Sequence, residues 1–165
     1  MINIVLVEPE IPQNAGNIVR TTAALEAHLY MVKPLGFILD DKHFKRAGMD
    51  YKDFAKVTVV DSFQEILDAN PTATFYYAST KSKKIYSEVT YPDGCFIVFG
   101  KESYGLSETI LKNNYDNCIR IPMSSKARSL NLSNSVAIIA YEAMKQQEFK
   151  GLQNEGELTG RPEND

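Results

Sequence analysis

Cys118-Ile119-Arg120-Ile121-Pro122-Met123-Ser124-Ser125-Lys126-Ala127-Arg128-Ser129-Leu130-Asn131-Leu132-Ser133-Asn134, followed by an apolar run to Tyr141, is the stretch whose reading decides the fold. A short strand ends at a proline. A polar loop with Lys126, Arg128 and three serines follows, and a helix begins where Asn and Ser cluster. Ser and Asn cap helix starts by accepting backbone N–H bonds, which accounts for one or two of these groups. Arg128, Ser129, Asn131, Ser133, Asn134 and Ser135 together exceed what a cap uses. They mark a candidate ligand loop between a buried strand and a buried helix.

Outward from this stretch, strands and helices alternate. Ile2 to Val7 is a β-branched run that reads as a buried strand. Glu8 to Gln13 holds two prolines and reads as a rigid loop. A helix is expected from about Asn14 to Ala27, with Ala15, Ile18, Val19, Thr22 and Leu25 on one side and Asn17, Arg20, Thr21 and Ala24 on the other. Leu29–Val32 is the next strand, so the spacing predicts a parallel βαβ unit. Short helices are expected at 40–46 and 51–55, a strand at 57–60, and a helix at 63–69 capped by Asp61 or Ser62. Thr74–Ser79 and Gly94–Phe99 read as strands, separated by a basic loop at 80–84. Ser107 opens a short helix to Lys112, Asn117–Ile121 is the last strand, and the final helix spans about Leu132 to Gln147. That helix is apolar on two sides, which calls for two things to pack against: the core and a second subunit. The expected fold is therefore α/β, a single domain over residues 1–150 with a mostly parallel sheet and flanking helices. Residues 151–165 read as a disordered tail, because they are rich in Gly, Glu, Asn and Pro.

The composition narrows the function. The chain has 165 residues, 44% hydrophobic and 24% charged, as in a soluble globular domain. A net charge of −3 argues against broad, non-specific attraction to nucleic acid or anionic membrane, though it allows a local basic patch. Cys95 and Cys118 lie in apolar runs without metal-type spacing and read as buried free thiols of a cytoplasmic protein. No stretch has the length of a signal peptide or a membrane span.

Ligands of parallel sheets bind beyond the carboxyl ends of the strands. That rule selects Pro9 to Arg20, Gly100 to Gly105 and Pro122 to Asn134. No G-x-G-x-x-G follows the first strand, and no P-loop is present. His28 and His43 have no partners for a metal site or a Ser-His-Asp arrangement. Glu8, Glu10 and Glu102 stand at strand ends, where each serves equally as an acid–base group, as a loop charge or as a helix N-terminal anion. A site built from backbone loops, Asn, Ser, Arg and one Glu suits chemistry whose reactive group comes from a cofactor, such as methyl transfer from a sulfonium.

Three segments then resemble one family. Asn14-Ala15-Gly16-Asn17-Ile18-Val19-Arg20 is similar to the first motif of the SPOUT methyltransferases. Phe96 to Leu106 resembles the second motif. Ile119–Met123 with Arg128–Asn134 resembles the third. The resemblance covers about the first 150 residues, in order and at matching spacing. Residues 3–14 and Arg46–Tyr51 further resemble the minimal members, the tRNA wobble-position 2′-O-methyltransferases, which carry no accessory RNA-binding domain. It implies a C-terminal trefoil knot, a homodimer and methylation of the ribose of cytidine or uridine 34 in the tRNA anticodon stem-loop. The alternatives are methylation at another tRNA position or in ribosomal RNA, and an RNA-binding module without catalysis.

The resemblance also implies residue roles. Arg20 is expected as the catalytic residue, supported by Asn14, Ser129 and Asn131. Ala78, Gly100, Glu102, Ile121, Met123, Ser129 and Leu130 are expected to bind S-adenosyl-L-methionine, which leaves as S-adenosyl-L-homocysteine; no metal is expected. A guanidinium donates hydrogen bonds and does not take up protons, so Arg20 reads as the group that holds a phosphate or the developing alkoxide. Its bland alternative is a surface ion pair with Glu8 or Glu10. Lys81, Lys83, Lys126 and Arg128 are the expected RNA contacts, with Lys84 and the cluster Lys42, Lys45 and Arg46 as further candidates.

Overall fold

The computed structural model describes residues 1–39 and 56–158. The helices expected at 40–46 and 51–55 lie outside the described residues, together with His43, Lys42, Lys45 and Arg46. The strands are β1 (Asn3–Val7), β2 (His28–Val32), β3 (Val57–Val60), β4 (Phe75–Ala78), β5 (Lys84–Ile85), β6 (Phe96–Phe99) and β7 (Cys118–Arg120). The helices are α1 (Pro12–Ala24), α2 (Phe63–Ala69), α3 (Glu108–Asn113) and α4 (Leu132–Gln146).

All seven strands pair in parallel, in the order β3-β2-β1-β6-β4-β7-β5. Alternation along each strand divides the core in two, as a period of two requires. Ile4 and Leu6 of β1, Tyr76 of β4, and Ile97 and Phe99 of β6 face α1 and α4. Val5, Phe75, Tyr77, Phe96 and Val98 face the opposite layer, with Ile66 of α2 and Leu111 of α3. Burying one such side chain contributes roughly 1.5–3 kcal/mol. The sheet is therefore fixed from both faces, as parallel sheets need.

Several boundaries differ from the sequence reading, each for a local reason. Helix α1 starts at Pro12, not Asn14: the first helical position has no intrahelical use for an N–H, so proline fits there. It stops at Ala24, short of Ala27, and Glu26 has φ +52°. The basic loop at 80–84 ends in β5, where Lys84 and Ile85 pair with Ile119 and Arg120 as an edge strand. Ser62 caps α2, with its side chain and Glu65 in a reciprocal capping box. Ile139 joins Val136, Ala140, Ala143 and Met144 on the buried side of α4, while Ile138 and Tyr141 stay exposed. Beyond α4, Phe149 and Leu152 pack against the core, so ordered packing runs past 150.

The cysteines are free and buried. Burial pushes the Cys95 thiol up to about 12. His28 is structural: its Nε2 meets Thr58 Oγ at 2.7 Å, and its ring stacks on Tyr30.

Candidate active site

Neighbouring strands β1, β6, β4 and β7 bring their carboxyl ends side by side. The loops that leave them carry the three sequence motifs. The turn after β4 is also tied in, since Ser79 N donates to Ile119 O at 2.9 Å and the buried Ser82 Oγ donates to Cys118 O at 2.6 Å.

The loop after β1 is fastened to the loop after β6 by three carboxylates. Lys101 Nζ donates to Glu8 Oε2 at 2.7 Å, and this carboxylate holds the lysine ammonium above its usual range. Glu10 accepts from Ser103 N and Ser103 Oγ, both at 2.9 Å. Glu102 accepts from Glu10 N at 2.8 Å, Ile11 N at 3.1 Å and Asn14 Nδ2 at 3.2 Å. The N-cap residue of α1, Ile11, offers no side-chain cap. Glu102 supplies the missing acceptor from 91 residues away, and its charge suits the positive end of the helix. These ties also hold Glu8 at φ +53°, a conformation that costs about 1–3 kcal/mol unless the surroundings enforce it.

The loop after β6 is a tight closed turn. Gly105 N donates to Lys101 O at 2.8 Å, and Gly105 has φ +71°. At Gly100 a Cβ would lie 2.0 Å from Gly105 C and 2.1 Å from Leu106 N. The turn folds directly over this position, so only glycine fits.

The third loop, 121–131, leads into α4. Asn131 caps the helix: its Oδ1 accepts from Ser133 N at 2.9 Å, Ser133 Oγ at 2.6 Å and Asn134 N at 3.3 Å. Ser135 Oγ donates to Asn131 O at 3.2 Å. Capping thus occupies Asn131 and Ser133, and Ser135 bonds back to the preceding turn, so local structure uses more of the polar cluster than the sequence reading allowed. One atom is left over, and it makes the site: Asn131 Nδ2 donates to Asn14 Oδ1 at 2.9 Å. Glu102, Asn14 and Asn131 form one chain of hydrogen bonds through all three motifs.

The remaining expected residues divide by exposure. Gly100 is buried, Ala78, Ile121 and Met123 are half-buried, and Ser129 and Leu130 are exposed. Glu102 turns its carboxylate to α1. Arg20 is exposed and makes no hydrogen bond among the described residues, so the ion pair with Glu8 or Glu10 is not formed. It lies six residues beyond Asn14, roughly 9 Å along the helix. Lys81 pairs with Glu108, and Lys84 donates to Asp116 O. Lys83, Lys126 and Arg128 have exposed, unpaired heads among the described residues. Sequence reasoning missed the Glu8–Lys101 and Glu10–Ser103 ties. The signal available was three acids flanking facing strand ends. Among the described residues no group of His, Cys, Asp and Glu is placed to hold a metal ion, and no helix is long and apolar enough to cross a membrane.

This is an α/β domain with a candidate ligand site where the strand order turns back, built from asparagine, glycine and backbone. The SpoU rRNA Methylase family model matches residues 1–141. The chain belongs to that family of methyltransferases. A solved structure from Bacillus anthracis superposes with a TM-score of 0.88 at 44% identity, covering 94% of this chain and 99% of that one. The tRNA (cytidine(34)-2'-O)-methyltransferase of Escherichia coli K12 is 42% identical over 152 residues, covering 92% of this chain and 97% of the relative. A solved structure described as giving insight into the 2-OH methylation of C/U34 on tRNA has a TM-score of 0.83 at 40% identity, covering 90% of this chain and 97% of that one. The SpoU methyltransferase AviRb of Streptomyces viridochromogenes, in complex with AdoMet, has a TM-score of 0.76 at 25% identity over 88% of this chain and 60% of that one.

Proposed function

We propose that this chain uses S-adenosyl-L-methionine to methylate the ribose 2′-oxygen of nucleotide 34, cytidine or uridine, in tRNA anticodon loops. It works as a cytoplasmic homodimer. The observation that carries the reading is the hydrogen-bonded chain Glu102–Asn14–Asn131, which gathers the three motifs into one site, in a protein 42% identical to an enzyme named for this reaction. The exposed Ile138 and Tyr141 on α4 support the dimer. The family's trefoil knot is supported by β5, which lies outside β7 although it precedes it in sequence, so the segment 79–83 crosses β7.

The residues present fit the cofactor. Among the described residues, the backbone N–H groups of Met123, Ser129 and Leu130 donate to no protein acceptor. Such donors, beside the apolar Ala78, Ile121, Met123 and Leu130, suit a purine nucleoside. Gly100 lets the second loop close on itself at Gly105 and Leu106. When bound, S-adenosyl-L-methionine supplies an electrophilic methyl carbon. The protein's part is to hold the nucleophile in line and to stabilise charge. Arg20 donates to the backbone phosphate or to the 2′-oxygen as negative charge develops there. The hydroxyl proton leaves to an acceptor other than Arg20, because a guanidinium only donates.

The test is transfer from labelled S-adenosyl-L-methionine to total tRNA, with the methylated nucleotide mapped. Label at nucleotide 34 is expected; label elsewhere, or only in ribosomal RNA, rejects the assignment. Arg20→Ala is expected to lower kcat by about 100-fold or more with cofactor affinity unchanged. Loss of both together would make Arg20 structural.

A further inference from the structure

The tight turn after β6 carries a residue that no step above uses. Tyr104 sits at its tip and is 85% exposed. It is the most exposed aromatic side chain among the described residues; Tyr141 and Tyr115, the next, are 47% and 44% exposed. A lone exposed aromatic side chain is ordinary. The mounting of this one is not. The backbone before it is fixed by the two bonds from Ser103 to Glu10, and the backbone after it by Gly105 N to Lys101 O. Gly100 lets the turn close directly over the end of β6. The ring therefore projects from a rigid base, and ordering it costs little when a ligand arrives.

The surroundings also have a direction. Ile11 is 42% exposed and Leu130 is 38% exposed. Ile11 N bonds to Glu102, the side chain of Asn131 bonds to Asn14, and Ser103 bonds to Glu10. Ile11, Leu130 and Tyr104 thus lie within one residue of the network that joins the motifs. The carboxylates there are already engaged: Glu8 by Lys101, Glu10 by Ser103, Glu102 by α1. Among the described residues only Glu8 of the three is neutralised by a cation, and Lys126 and Arg128 on the third loop remain available for phosphates.

We propose that Tyr104 is a stacking platform for one unpaired nucleobase of the RNA substrate, positioned beside the site of methyl transfer. Every base offers a π face, and sequence-selective RNA recognition favours unstacked loop bases on aromatic rings. The proposal rests on the RNA-methyltransferase reading and names a substrate contact for it.

The experiment measures binding of a fluorescein-labelled anticodon stem-loop RNA by anisotropy, for the wild-type protein, Tyr104→Ala and Tyr104→Phe. Stacking on one ring is worth about 1–3 kcal/mol, so Tyr104→Ala should weaken binding roughly 5- to 150-fold. Tyr104→Phe keeps the ring and should bind as the wild type does. The Ala defect should persist at raised salt, since stacking releases no counterions, whereas Arg128→Ala should reduce the salt dependence. Cofactor affinity by calorimetry and mass by sedimentation should not change. Wild-type binding by Tyr104→Ala, an equal loss in Tyr104→Phe, or a change in sedimenting mass overturns the proposal. A wild-type protein that binds this RNA but transfers no methyl group refutes the methyltransferase reading and leaves Tyr104 to be judged by anisotropy. A wild-type protein that binds no RNA refutes both.

Discussion

Asn131 uses one amide in two ways. Its oxygen caps α4 by accepting from Ser133 and Asn134, and its nitrogen reaches Asn14. Removing the cap should cost about 1 kcal/mol. Removing the link should cost more than the cap alone, because Asn14 is buried and would keep an acceptor without its donor. A double-mutant cycle of Asn14→Ala and Asn131→Ala, followed by urea unfolding, should return a coupling of about 0.5–3 kcal/mol. Zero coupling would mean the contact does nothing for the fold. The cap was legible in the sequence, because donor and acceptor lie within three residues. The link was not: its partners are 117 residues apart, and no local pattern joins them.

At the level of elements, the turn after β6 is the least tolerant part of the site. Gly100→Ala would place a methyl group inside the backbone of Gly105 and Leu106. Overpacking of this kind costs about 1–3 kcal/mol or forces the turn open. The expected outcome is a lower urea midpoint together with weaker calorimetric binding of S-adenosyl-L-methionine. An unchanged midpoint would show that the turn is not held as described. Elements held by local chemistry could be read in advance: α2 starts where its capping box says, at Ser62 and Glu65. Elements held from afar could not. Helix α1 borrows its cap from Glu102, so its start was misplaced beyond Pro12. The two-residue β5 exists only because β7 pairs with it.

For the whole molecule, the alternation of apolar runs gave the parallel α/β class, while the strand order depends on crossovers that no run of residues encodes. Helix α4 packs one side on α1 and the sheet and leaves Ile138 and Tyr141 exposed. If a second copy covers them, sedimentation equilibrium should give twice the chain mass, and Ile138→Asp should give the single chain. A wild-type protein that sediments as a monomer would reject the homodimer. The outer side of α4 was recognisable because a helix that packs on one face alone has no reason to be apolar on two.

The position of β1 between β2 and β6 has a consequence for how the protein is made. Strand β1 is a central one, and the partner for its second edge is β6, which ends at Phe99. At roughly 5–20 residues per second, that edge stays open for about 5–20 s of synthesis. An apolar strand with free backbone donors and acceptors invites pairing between chains. Expression at high temperature or at high ribosome density should therefore yield aggregates of nascent chains, even though the finished fold leaves β1 no open edge.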